Sequence, residues 1–197
     1  MPETAKLVVV LAIICVVASG GLALVNAATG EKIAEQERLK EEMLRAEALV
    51  GPGEEVEFGE PKPFDDGEYF EGYVDGKLVG YVFGTVARKA YNEPVKIVVG
   101  VDPAKTKLTG VRIRSQRETP GLGAFMVVVR SGEQEPWFLR QFRNVPLEKV
   151  WLKKDNQAGE IDGITAATIS SRAVTDAVRE SFEKFVQATG ETKEDVG

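Results

Sequence analysis

Leu7 to Val25 is a run of 19 residues without a charged side chain. As a helix rising about 1.5 Å per residue it would span about 28 Å, close to the ~30 Å hydrocarbon core of a bilayer. Peptide groups in lipid find no water to bond, so a single segment must satisfy them within itself, as a helix does. The run therefore predicts a retained single-pass helix, with residues 1–28 as a membrane anchor. A cleaved secretory signal is the alternative, because Asn26-Ala27-Ala28 supplies small residues after the apolar run. The run exceeds the roughly 7–15 apolar residues usual in such signals, which favours retention. Cys15 sits inside it, preceded by bulky Ile13 and Ile14, and reads as a small apolar residue rather than a lipidation site. Orientation is weakly marked: Lys6 precedes the run, while Lys32, Arg38, Lys40 and Arg45 follow it.

The chemistry open to the chain is narrow. It has no histidine and one cysteine. It therefore lacks the residues for a histidine-ligated zinc or haem site, a Ser-His-Asp or Cys-His pair, a four-cysteine cluster or an internal disulfide. Redox chemistry on such a chain requires an organic cofactor. The net charge is −6, and residues 31–60 carry all of it, with ten Glu against four basic residues. The remaining body is neutral, which excludes the basic domain expected of a nucleic-acid binder.

Glu31 to Val50 is rich in helix formers and ends at Gly51-Pro52-Gly53, so residues 29–60 are expected to form a helical stalk and linker. Glu54 to Asp66 is irregular and contains proline. Strand signals follow. Tyr69–Val74 and Leu78–Ala87 flank the hairpin dipeptide Asp75-Gly76, and Val95–Val101 and Leu108–Ser115 flank Asp102-Pro103. In the last of these, Val111 and Ile113 alternate with Arg112 and Arg114, as on a half-buried strand with a solvated arginine face. Phe125–Val129 suits a strand or a buried turn of helix, Pro136–Arg143 a short amphipathic helix, and Val150–Leu152 a strand. Ala173, Val174, Ala177, Val178, Ser181, Phe182 and Phe185 recur at helical spacing until Gly190. The order predicts an α+β chain: one transmembrane helix, then a domain of antiparallel strands with flanking helices over residues 61–190, and a tail over 191–197.

Two short segments carry chemistry. Asp162-Gly163-Ile164-Thr165-Ala166-Ala167-Thr168-Ile169-Ser170-Ser171 opens the last helix with hydroxyls and little bulk. Unpaired N–H groups and the positive end of the helix dipole favour an anion there. Small Ala166 and Ala167 leave room for a phosphate; the plainer alternative is capping by Asp162 or Thr165, with Ser170 and Ser171 exposed. Arg117-Glu118-Thr119-Pro120-Gly121-Leu122-Gly123-Ala124 places Pro120-Gly121 at the centre of a type II turn. Such a loop brings main-chain groups close to a flat ligand, or is a plain surface turn.

Together the two segments resemble known motifs. DGITAATISS resembles the flavin-attachment motif Asp-x-x-Ser/Thr-Gly-Ala-Thr of the FMN-binding domain family, and ETPGLG resembles the loop that accompanies it in the G subunits of Rnf electron-transport complexes. The stretch from Tyr91 to Ala124, with VKIVVGVDP and VRIRSQRETPGLGA, is similar almost throughout, and the family is related to the C subunits of sodium-translocating NADH:quinone reductases. The resemblance implies FMN joined to Thr168 by a phosphoester, with Asp162, Thr165, Ala166 and Ala167 around the attachment and Glu118, Thr119, Gly121, Leu122 and Gly123 beside the isoalloxazine. Ala166 stands where the family usually has glycine. Arg112, Arg114 and Arg117 precede the flavin loop, as a solvated face or as charge that stabilises reduced flavin.

The same resemblance implies an electron-relaying subunit of an Rnf-type ferredoxin:NAD⁺ oxidoreductase that moves Na⁺ or H⁺, without a complete active site on this chain alone. Its partners would be the other Rnf-type subunits, polytopic and flavin or iron–sulfur proteins, and a flavin transferase. It would lie in the cytoplasmic membrane with the flavin domain on the extracytoplasmic side. Alternative readings are a scaffold subunit without flavin and a free-standing membrane-anchored carrier to an extracellular acceptor.

Overall fold

A computed structural model describes residues 2–65 and 67–190; the expected tail at 191–197 lies outside the described residues. The chain divides into two compact units, one up to Glu41 and one from Glu42 onward. From Glu3 onward the first unit is helix, part of α1 (Glu3–Leu49). The stalk expected after the apolar run is the same unbroken helix. Ser19 and Thr29 donate their hydroxyls to the carbonyls of Cys15 (2.7 Å) and Val25 (2.8 Å), so these polar side chains are satisfied by their own helix. Among the described residues, α1 is the one helix long and apolar enough to cross a membrane.

The second unit is built on an antiparallel sheet of β1 (Glu57–Phe58), β2 (Lys62–Phe64), β3 (Gly67–Val74), β4 (Lys77–Ala87), β5 (Val95–Val101) and β6 (Leu108–Ser115). The order is β1-β3-β4-β5-β6, with β2 also against β3. The β3–β4 hairpin turns at Asp75 and Gly76, with φ of 51° and 73°, the left-handed pair of a type I′ turn. The β5–β6 turn is held by buried Asp102, whose Oδ1 accepts the N–H groups of Thr106 (2.7 Å) and Lys107 (2.8 Å).

Each sheet face is covered by a different helix. One face carries Phe83, Ile97, Val99, Val111 and Ile113 against Val174, Val178, Phe182 and Phe185 of α3 (Thr168–Gly190). The other carries Val82 and Val98 against Ala48 and Leu49, the end of α1 that belongs to this unit. Gly100 and Gly110 make that approach feasible, because a Cβ on either would collide with the Ala48 carbonyl. Thr109 Oγ1 donates to the same carbonyl at 2.8 Å, satisfying a helix-end acceptor.

This second cover corrects the reading of β6. Arg112 alternates outward as expected, but it is 4% exposed rather than solvated. Its guanidinium donates to Glu47 of α1 (2.9 Å) and to Glu135 (2.8 Å), and Arg143 pairs with Glu135 at 2.8 Å. A strand pattern cannot reveal that a distant helix end will close over its polar face. Burial pushes the Glu135 carboxyl up, but Arg143 and Arg112 together hold it below the usual carboxylate value.

Other elements differ in detail. The irregular stretch before Asp66 contains β1 and β2, too short to show a period. Gly123–Val127 is a 3-10 turn, α2 spans only Trp137–Arg140, and the strand expected at Val150–Leu152 is a single bridge from Leu152 to Ile161.

Candidate functional site

The last helix begins at Thr168, so the segment expected to open it is mostly a loop leading into it. Ser171 shapes that loop: its Oγ accepts the Ile164 N–H at 2.9 Å and donates to the Ala167 carbonyl at 2.9 Å. The sharp bend falls at Ala166, whose φ is +60°. This left-handed conformation costs an L-residue energy and suits glycine, which gives a backbone reason for glycine at this place in the resembled motif.

The capping alternative does not hold. Asp162 Oδ2 pairs with Lys153 Nζ at 2.6 Å, and its main chain is clamped by Gln141, which accepts the Asp162 N–H (2.8 Å) and donates to its carbonyl (3.2 Å). Ser170 and Ser171 are buried, not exposed. Nearby, Arg172 binds Asp155 through two hydrogen bonds of 2.6 and 2.7 Å, which hold that carboxyl below its ordinary value.

Thr168 is half-buried at the start of this long helix. Among the described residues no hydrogen bond engages its hydroxyl, whereas the hydroxyls of Ser170, Ser171 and Thr175 are all spent within the fold. The N–H groups of Thr168, Ile169 and Ser170 likewise meet no acceptor among the described residues, lying between the bond from Ala167 N–H to the Ile164 carbonyl (3.0 Å) and the one from Ser171 N–H to the Ala167 carbonyl (3.0 Å). A free hydroxyl beside unpaired donors at the positive end of a helix fits an esterified phosphate. Thr165 and Ala166 are exposed beside it, and Ala167 is buried beneath.

The second segment comes to the same place. The Thr119 carbonyl accepts the Leu122 N–H at 3.1 Å across Pro120 and Gly121, and Gly121 has φ of +79°, as the predicted type II turn requires. Glu118 then ties the loop to the helix. It is 5% exposed, its Oε2 accepts from Ser170 Oγ at 2.7 Å, and its Oε1 accepts the Asn92 N–H at 3.1 Å. Gly123 packs directly on this carboxylate, which a Cβ there would strike. One buried carboxylate therefore joins the β4–β5 connection, the turn after β6 and the first turn of α3. The bond to Ser170 links residues 52 apart in sequence, and no local pattern announces it. Arg117 is exposed and pairs with Glu93 at 3.2 Å, while Arg112 lies across the sheet in its own ion pairs. Leu122, Phe125 and Ile169 leave apolar side chains exposed around the site.

Residues 90–183 match the FMN-binding domain family, a span that contains both segments. Residues 3–47 match the N-terminal region of the Rnf G protein. The chain is 32% identical to the G component of the ion-translocating oxidoreductase complex of Methanosarcina acetivorans, covering 92% of this chain and 94% of that protein. It is 31% identical to the G component of the Na(+)-translocating ferredoxin:NAD(+) oxidoreductase complex of Acetobacterium woodii, over 91% and 90%. The crystal structure of the C component of the Na(+)-translocating NADH-quinone reductase of Parabacteroides distasonis shares the fold, with a TM-score of 0.57, 20% identity, and coverage of 81% of this chain and 95% of that one.

Proposed function

Because the chain belongs to the G-component family of ion-translocating oxidoreductase complexes, we propose that it relays electrons within such a complex through FMN joined to Thr168 by a phosphoester. The observation that carries this reading is the unengaged Thr168 hydroxyl at the start of α3, beside the loop that Glu118 fastens to the same helix turn. FMN supplies one- and two-electron chemistry when bound. The chain's own residues give an attachment oxygen, unpaired N–H donors for the phosphate, and the turn through Thr119, Gly121, Leu122 and Gly123 against which the ring rests.

A covalent tether suits a shallow site, since a carrier exposed to its redox partners would otherwise lose its flavin. In this reading a flavin transferase makes the ester, residues 3–25 hold the chain in the cytoplasmic membrane as a single span, and the flavin domain lies on the extracytoplasmic side. The other subunits of the complex supply and receive the electrons, coupled to movement of Na⁺ or H⁺. Intact mass of the full chain, purified after coexpression with a flavin transferase, tests the attachment. Wild type should gain one FMN ester, and Thr168→Ala should weigh its amino acids alone. Flavin fluorescence that persists on the Thr168→Ala chain under denaturing conditions would refute the assignment.

A further inference from the structure

Tyr91 is the one tyrosine of the chain's four that stands free of the fold. Tyr69, Tyr73 and Tyr81 are half-buried and engaged, Tyr69 and Tyr81 in the aromatic cluster around Phe185 and Tyr73 in a hydrogen bond to Glu71. Tyr91 is 66% exposed, and among the described residues it makes no hydrogen bond and no ring contact. Its backbone is nonetheless fixed. The next residue, Asn92, gives its N–H to Glu118 Oε1 and its side-chain amide to the Arg117 carbonyl at 2.9 Å, and Glu93 pairs with Arg117. The carboxylate that holds Asn92 also holds Ser170, so a single side chain separates the Tyr91 connection from the turn that begins with Thr168. A large amphipathic ring exposed on a backbone that the same carboxylate ties to the start of α3 has the form of a ligand contact rather than a packing residue.

We infer that Tyr91 stacks on the isoalloxazine of the flavin attached at Thr168, an inference that rests on the reading given under Proposed function. The ribityl chain between phosphate and ring supplies the reach, and the exposed phenol supplies a flat apolar face with a polar tip. Stacking fixes the ring against the loop while leaving its other face for a redox partner. It also predicts an optical signature. A phenol stacked on the ring lends one electron to the excited flavin and takes it back on decay, so emission is quenched with no net chemistry.

The test uses the full flavin-loaded chain in detergent. Emission per flavin is measured natively and again after denaturation, with intact mass confirming the load on each variant. Wild type should be quenched natively and released on denaturation. Tyr91→Leu should load equally and lose about fivefold in the ratio of stacked to unstacked flavin, the change expected from removing one aromatic contact. Tyr91→Phe should keep the wild-type flavin absorption band, because the ring is still stacked, yet lose the quenching, because its electron donor is gone. A loaded Tyr91→Leu chain with wild-type emission would overturn the role of Tyr91 and leave the attachment intact. A wild-type chain that carries no flavin at Thr168 would overturn both.

Discussion

Replacing Ala166 by glycine removes one methyl group from the sharpest bend before α3. Five described non-glycine residues have positive φ, and four of them, Asp65, Asp75, Lys105 and Asn144, have polar side chains. Ala166, at +60°, can offer no side-chain hydrogen bond in compensation, so it carries the left-handed cost of about 1–2 kcal/mol in full. It is exposed, so losing the methyl group sacrifices no core packing. Against the gain stands the greater freedom of glycine in the unfolded chain, about 0.5–1 kcal/mol. The net expectation for Ala166→Gly is stabilisation by about 0.5–1 kcal/mol, or a rise in Tm of roughly 1–4 °C for a chain of this size. Urea unfolding of the full chain in detergent measures it, with Ala166→Val as the opposing variant, because a β-branched residue tolerates this conformation least. Flavin loading, followed by intact mass against time, should quicken in Ala166→Gly as the bend opens toward the phosphate. A glycine variant less stable than wild type, or a valine variant as stable as it, would refute the assigned backbone strain.

Gly100→Ala should destabilise the domain by about 2–4 kcal/mol, since the new Cβ would lie 2.7 Å from the Ala48 carbonyl carbon and 2.5 Å from Thr109 Oγ1, displacing the hydrogen bond between them. Gly190→Ala, whose added Cβ meets nothing within 4 Å among the described residues, should stay within about 0.5 kcal/mol in the same urea titration. Glu135 predicts a pH effect of definite sign. Its carboxyl is held below its ordinary 4.5, so its contribution to stability is present above that value and is lost as pH falls through the lowered one. Thermal melts across the acid range should therefore decline less steeply for Glu135→Gln than for wild type, and equal slopes would contradict the pairing with Arg112 and Arg143.

The elements with a clear period were legible in the residues. The apolar run, the Asp75-Gly76 hairpin, β5, β6 and the stripe from Ala173 to Phe185 all fall where hydrophobic spacing put them. The Pro120-Gly121 turn was equally open to reading, because only a few backbone shapes accept that dipeptide. Contacts between distant residues were not legible. Arg112 looked solvated because its cover, Glu47 and the end of α1, lies 65 residues upstream. The start of α3 was placed too early because Asp162 and Thr165 have the chemistry of caps, while the bend at Ala166 that delays the helix is a backbone property without a side-chain signature. Glu118 was assigned to the ring's surroundings through a resemblance; its burial between Asn92 and Ser170 makes it the fastener of the site as well.

The seating of Ala48 and Leu49 on the glycine-lined sheet sets a rule for anyone who would graft this domain elsewhere. A chimera that exchanges the lipid-crossing portion of α1 for a foreign span, joined ahead of Glu42, carries the helix end with it and leaves Val82 and Val98 covered. A junction placed after Leu49 strips that cover, strands Arg112 without Glu47, and turns the sheet's second face into an adhesive surface. The natural border of the flavin module thus falls inside the helix rather than at the glycines that follow it.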